Sequence, residues 1–306
     1  MNEAKEKNFI SAVVCLREDA PDAVPFLSEL DRQLNEHFEQ YEIVAVNDGC
    51  TPAAVDRVRE YARANLQKPL TLVHMSLRQG TELCMNAGLD MAIGDFVYEF
   101  DSTCMDWDAG LIWQAYQKAL EGNDIVNVCP TKATGTSRMF YHVFNAFHRS
   151  PYKLRTEAFR LVSRRAINRV HAVSDDLPYR KAAYAASGLK MEQILYEGSA
   201  PSKQQGRMDL AVDSLALYTD AGYKLSAGVA GCMLLLTLVE LIYTLYIFFG
   251  RGHAIEGWTT TMFVLTMGFF GVFAILAMVL KYLSLLVKLV FTKQKYLVEN
   301  IEKIQK

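Results

Sequence analysis

The chain has almost no excess of charge: 32 Lys and Arg stand against 34 Asp and Glu in 306 residues, a formal net charge of −2. Bulk charge therefore gives no argument for nucleic acid as a partner. Paired cysteine motifs are absent too. Cys15, Cys50, Cys84, Cys104, Cys129 and Cys232 form no C-x-x-C, and no His stands at zinc-ligand spacing from them. Scattered thiols, several inside apolar runs, fit small buried hydrophobes in a reducing compartment rather than a disulfide framework. The N-terminal MNEAKEKNFI has no apolar stretch of signal-peptide length, so the polar part of the chain is expected in the cytosol. No internal repeat is present, which leaves a transporter or channel a thin basis.

What is there divides in two. Residues 1–222 mix charged and apolar residues as soluble domains do, whereas residues from Leu225 onward are strongly apolar. In the first part, short β-branched runs alternate with helical periodicity. FISAVVCL, YEIVAV and residues 70–75 read as buried parallel strands, and helices are expected from Pro25 and Pro52. Residues 76–108, SLRQGTELCMNAGLDMAIGDFVYEFDSTCMDWD, read as loop, helix, turn, strand and acidic loop. A further helix at residues 111–120 and a strand at 125–129, stopped by Pro130, continue the alternation. This pattern predicts an α/β fold whose mostly parallel sheet is covered on both faces. The strand FVYEF then delivers Asp101 to its carboxyl end, where open α/β sheets bind ligands. A carboxylate there is either a ligand contact or the cap of a following helix. Asp48, before Gly49, equally reads as turn chemistry. The basic-aromatic residues 137–152 place Phe140, Phe144 and Phe147 on one face, for core packing or for contact with a lipid or acceptor.

Residues 206–220 read as an amphipathic helix along a membrane interface. Residues 225–249 and 261–280 are each long enough for a span, since about 20 apolar residues cross a bilayer core. Lys224, Lys281, Lys288, Lys293 and Lys295 flank the pair, and only Arg251 lies between them. The positive-inside rule then places both the N-terminal domain and the C-terminal tail in the cytoplasm. Glu240, near the middle of the first span, is expected to face protein rather than lipid. The expected organisation is an α/β domain at 1–205, a juxtamembrane helix at 206–222, a two-span hairpin at 223–291 and a tail at 292–306, packed as a homo-oligomer.

Several motifs, in order, resemble family 2 glycosyltransferases, specifically the bacterial polyprenyl-phosphate glycosyltransferases related to dolichyl-phosphate mannose synthase. Val46-Asn47-Asp48-Gly49-Cys50 is similar to V-N-D-G-S. Gly80 through Asp101 follows G-x-x-x-A-x-x-x-G-x-x-x-A-x-G-D-x-x-x-x-x-D, and Phe159-Arg160-Leu161 with Arg164 resembles G-D-F-R-L-x-x-R. The resemblance implies a GT-A-like fold and inverting transfer from a nucleotide-sugar to a polyprenyl phosphate at the cytoplasmic membrane. It implies donor contacts from Arg17, Glu18, Asp48, Gly80 and Asp101, with Asp48 on the base and Asp101 on the ribose or diphosphate. Asp101, Glu157 and Arg160 become the catalytic candidates. Arg160, Arg164 and Arg207 become candidates for the lipid phosphate or the diphosphate, since two polyanions must be held together. A bridging Mg²⁺ or Mn²⁺ at Asp101 is implied as well.

The chain departs from the pattern at ligand-facing positions. D-x-D reads Asp101-Ser102-Thr103, the acid before F-R-L is displaced to Glu157, and P-x-Y-N-E-E reads Cys15-Leu16-Arg17-Glu18-Asp19-Ala20. The S-K-Y/W loop corresponds to Gly206-Arg207-Met208. Two expectations follow: a transferase with an altered donor site, or a catalytically impaired accessory subunit that keeps the fold and binds lipid or a partner protein.

Overall fold

The structure, a computed structural model, describes residues 5–17, 20–132, 141, 145, 152–173, 179–199, 228–229, 231–233, 235, 239, 257–291 and 296–305. Within residues 258–291 it describes the backbone throughout but only some side chains. The first half alternates as the sequence predicts: β1 (Ile10–Leu16), α1 (Ala23–His37), β2 (Tyr41–Asn47), α2 (Pro52–Asn65), β3 (Leu70–Met75), α3 (Thr81–Met91), β4 (Phe96–Phe100) and α4 (Gly110–Leu120). Then come β5 (Ile125–Lys132), β6 (Phe159–Ser163), α5 (Arg164–Val173), α6 (Arg180–Ala186), β7 (Met191–Ser199), α7 (Trp258–Phe291) and β8 (Val298–Ile304).

All eight strands share one sheet in the order β7-β5-β6-β4-β1-β2-β3-β8. β1 to β4 are mutually parallel, β5 is parallel to β7, and only β6 and β8 run antiparallel to their neighbours. β1 lies at the centre and is buried along its whole length, which is why ISAVVCL is apolar on both faces. α3 crosses this centre closely: a Cβ at Gly88 would meet Val13 Cγ1 at 2.3 Å, so only glycine fits. Phe26, Tyr98, Phe100, Trp107 and Phe159 build the core beneath the carboxyl end of β4. Trp107 stacks on Phe100 at 6.0 Å and meets Phe159 at 4.5 Å. That indole pins the acidic loop after β4 to the core.

Three features differ from the sequence expectation. β5 runs through Pro130 instead of stopping there. Its pairing with β6 ends at Val128, so the missing proline N–H removes no bond on that side. β6 is a strand at the F-R-L motif, a segment for which no strand is expected from the sequence. The tail at 292–306 is not a separate segment: Val298–Ile304 pairs antiparallel with β3 and covers the sheet edge. Arg59 of α2 grips Glu302 of this strand through two contacts of 3.0 Å.

The chain divides into two compact units, Met1–Ala211 with Gln294–Lys306, and Val212–Lys293. In the second, α7 is 34 residues long, and several of its described side chains are exposed, Phe270 at 72% and Phe273 at 64%. Gly271 packs on Met233, where an added Cβ would lie 2.8 Å from Cγ. The described residues of the expected first span (228–229, 231–233, 235 and 239) are helical. Among the described residues no helix is long and apolar enough to cross a membrane, so the two-span hairpin stays a sequence expectation. The amphipathic helix at 206–220, Glu240, and the Phe140, Phe144 and Phe147 face lie outside the described residues.

Candidate functional site

Two aspartates stand at the carboxyl ends of the parallel strands, Asp48 after β2 and Asp101 after β4. They have different surroundings. Asp48 accepts the backbone N–H of Gln79 at 2.6 Å and of Gly80 at 3.1 Å, and pairs with Arg17 Nε at 3.1 Å. Its side chain is fully buried. Arg17 goes on to donate to Thr81 Oγ1 at 2.7 Å, tying the end of β1 to the start of α3. Gly80 holds φ +95, a conformation that glycine adopts freely, and this turns its N–H onto Asp48. In this structure the Asp48 carboxylate is enclosed and accepts from the loop. Arg17, Asp48 and Gly80 form an internal clamp that shapes the mouth of the sheet.

Asp101 belongs to an ionic cluster. The antiparallel β6 begins at the carboxyl end of β4, which sets Arg160 opposite Glu99 in register. Arg160 lies 2.9 Å from Glu157, 3.4 Å from Glu99 and 3.7 Å from Asp101, with its guanidinium 5.7 Å from the Tyr184 ring centre. α6 contributes the second cation. Arg180 donates to Asp101 Oδ1 at 2.5 Å and to Glu82 at 2.9 Å, and lies 3.4 Å from Glu99. Lys181 sits 3.7 Å from Glu157, and Tyr184 donates its hydroxyl to Glu99 at 2.6 Å. Arg160 and Arg180 are essentially without solvent contact, while Asp101 keeps 20% of its side chain exposed. It is the most open member of the group.

Burial alone would raise the Asp101 carboxyl. Arg180, Arg160 and Lys181 outweigh that effect and hold it at about 2. Burial likewise opposes the charge on Arg180, but Glu82, Asp101 and Glu99 more than compensate and raise its pKa. Arg160 Nε and Nη1 and Arg180 Nη1 are buried with ion-pair partners but without an aligned hydrogen bond, which leaves donor capacity unsatisfied.

The structure thus brings Asp101, Glu157 and Arg160 together. Arg164 does not join them. β6 exits at the amino end of β4, and there Arg164 donates to the carbonyl oxygens of Ala92 at 2.7 Å and Gly94 at 3.0 Å. In this structure its guanidinium ties β6 to the turn before β4. Glu18 and Arg207 lie outside the described residues. Arg180, Lys181, Glu82 and Glu99 are the members that sequence reasoning missed. The available signal was Glu99 itself: a carboxylate inside the apolar strand FVYEF requires a buried cation.

Among the described residues the implied metal finds no donor set. Both Asp101 oxygens face guanidinium groups, and Thr103 is buried and neutral. Ser102 Oγ accepts from the Cys104 N–H, Tyr196 donates to Asp106, and Asp108 accepts the Gly110 N–H at the start of α4. Among the described residues no group of three His, Cys, Asp or Glu side chains could hold a metal ion.

A family profile described as glycosyl transferase family 2 matches residues 11–185. Among curated proteins, an uncharacterized glycosyltransferase of Synechocystis sp. is 27% identical over 164 residues, covering 51% of this chain and 51% of that protein. The uncharacterized glycosyltransferase YkcC of Bacillus subtilis is 23% identical over 251 residues, covering 77% of this chain and 76% of its own. The chain thus spans only about half of the first relative's length. Among solved structures, glucosyl-3-phosphoglycerate synthase of Mycobacterium tuberculosis, in complex with Mn²⁺, UDP and phosphoglyceric acid, has a TM-score of 0.52 at 12% identity. That match covers 68% of this chain and 76% of the other, and at this identity the likeness shows the fold alone.

Proposed function

Because the chain belongs to glycosyl transferase family 2, we propose that it is a membrane-bound enzyme transferring a sugar, with inversion, from a nucleotide-sugar to a polyprenyl phosphate. The product would serve cell-surface glycan synthesis or modification. The observation that carries the lipid acceptor is α7. A 34-residue helix whose described Leu265, Phe269, Phe270, Val272 and Phe273 are exposed needs an apolar partner, lipid or a second copy of the chain. The apolar run of residues 225–249 is proposed as the other arm of a hairpin, and Gly271 packs closely on Met233. The flanking lysines favour, by the positive-inside rule, a cytoplasmic side for the α/β domain and the C-terminal tail.

The chemistry asks little of a general base. A lipid phosphate is already an anion at neutral pH. Its oxygen attacks the anomeric carbon, the bond from that carbon to the diphosphate oxygen breaks, and the diphosphate leaves with the electron pair. Asp101, the exposed edge of the cluster, orients the donor, and Arg160, Arg180 and Lys181 beneath it keep its carboxylate ionised.

A second reading has an observation of its own. Asp48 is enclosed and both Asp101 oxygens face arginines, as they would in an accessory subunit that keeps the fold without turnover. Incubating the purified full chain with polyprenyl phosphate and a panel of nucleotide-sugars separates the two. Transfer of sugar to the lipid supports the enzyme. No turnover with any donor, with no nucleotide binding by calorimetry, selects the accessory subunit.

A further inference from the structure

The disagreement between the implied cation and the residues around Asp101 has a direction. We propose that the chain engages the diphosphate of a nucleoside-diphosphate donor without a divalent metal, because Arg180 and Arg160 stand against the two Asp101 oxygens where a cation would bind. This rests on the reading of the chain as a nucleotide-sugar transferase.

Arg180 Nη2 lies 2.5 Å from Oδ1, and Arg160 Nη2 lies 3.7 Å from Oδ2. Neither arginine is a surface side chain free to swing away: Arg180 is 0% exposed and Arg160 2%. Each is also tied to further carboxylates, Arg180 to Glu82 and Arg160 to Glu157. A metal arriving at Asp101 would meet two fixed guanidinium charges, with Lys181 behind them on Glu157. Thr103, where the second carboxylate of D-x-D would stand, is buried and carries no charge, and among the described residues no group of three His, Cys, Asp or Glu side chains could hold a metal ion. Guanidinium groups do not deprotonate in proteins, so this exclusion of a cation from Asp101 persists across the working pH range.

The test uses the purified full chain and two probes. Mn²⁺ alone is titrated and followed by the electron paramagnetic resonance of the free ion. UDP and GDP are titrated by calorimetry, once in EDTA and once in Mn²⁺. The expected results are an undiminished free-ion signal and nucleotide affinities that agree within about twofold between the two media. Loss of the free-ion signal that Asp101→Asn restores, or affinity about tenfold tighter in Mn²⁺, overturns the proposal. A loss of signal that Asp101→Asn leaves unchanged, with nucleotide affinities still equal in the two media, reports a cation that does not serve the donor and supports the proposal. If neither nucleotide binds in either medium, the donor reading falls and the diphosphate contact with it, while the Mn²⁺ titration still decides whether Asp101 holds a cation.

Discussion

Asp48 and Asp101 occupy equivalent places, each just past a parallel strand of one sheet, yet their surroundings give them different work. Asp48 is met by two backbone N–H groups and one arginine and is sealed from solvent. Asp101 is met by two buried arginines and keeps one side open. A carboxylate held by backbone amides fixes a loop, whereas one held by buried charge stays ionised and presents that charge at the surface. Position at a strand end does not distinguish the two. What distinguishes them is which groups the rest of the chain brings to each.

Removing the cation beneath Asp101 breaks the comparison most severely. Arg180→Met leaves Glu82, Glu99 and Asp101 short of a buried partner and is expected to lower stability by about 3–5 kcal/mol. Denaturant unfolding measures it; a loss below about 1 kcal/mol would mean that water, not Arg180, compensates the carboxylates.

The two aspartates separate next. Asp48→Ala removes the acceptor for Gln79 and Gly80 and should cost about 1–3 kcal/mol of stability. Asp101→Asn keeps the shape but loses the charge, and should abolish sugar transfer while the unfolding midpoint moves less than for Asp48→Ala. The opposite ranking would exchange the two roles.

Acid gives a third measure. The Asp101 carboxyl is held at about 2, below its ordinary value near 4. Its contribution is therefore complete above pH about 4 and is lost as pH falls through about 2, on the order of 2 kcal/mol. Unfolding of the wild type and of Asp101→Asn should converge over that window; parallel curves would show that the arginines do not stabilise the ionised carboxylate.

The smallest effect belongs to the edge strand. Glu302→Gln weakens a half-exposed pair with Arg59 and should cost at most about 1 kcal/mol. A larger loss would make β8 a pillar of the fold rather than an edge cover.

The sequence carried the parallel half of the sheet well, because buried strands such as ISAVVCL and FVYEF are short apolar runs separated by helices with clear periodicity. It carried β8 and α6 poorly. VENIEKI alternates and is mostly exposed on an edge, so it has no apolar run to mark it. RKAAYAA is only seven residues long and begins with two cations that the fold buries, which inverts the usual sign of burial. Asp101 and Arg160 were legible from their motifs. Arg180 was not, because its partners Glu82, Glu99 and Asp101 come from about 80 to 100 residues earlier and meet it only once α6 returns to the sheet. Arg164 stands apart from Arg160 because, four positions on, an antiparallel strand has already carried the chain to the other end of β4.

The central claim is that the open carboxylate of Asp101, backed by buried arginines, serves sugar transfer to a lipid phosphate. The direct measurement is the rate at which labelled sugar enters polyprenyl phosphate when the full chain in EDTA is given a panel of nucleotide-sugars. Turnover with at least one donor, lost in Asp101→Asn and retained in Glu302→Gln, is the predicted result. Turnover with no donor, in EDTA or in Mn²⁺, or turnover untouched by Asp101→Asn, would contradict it.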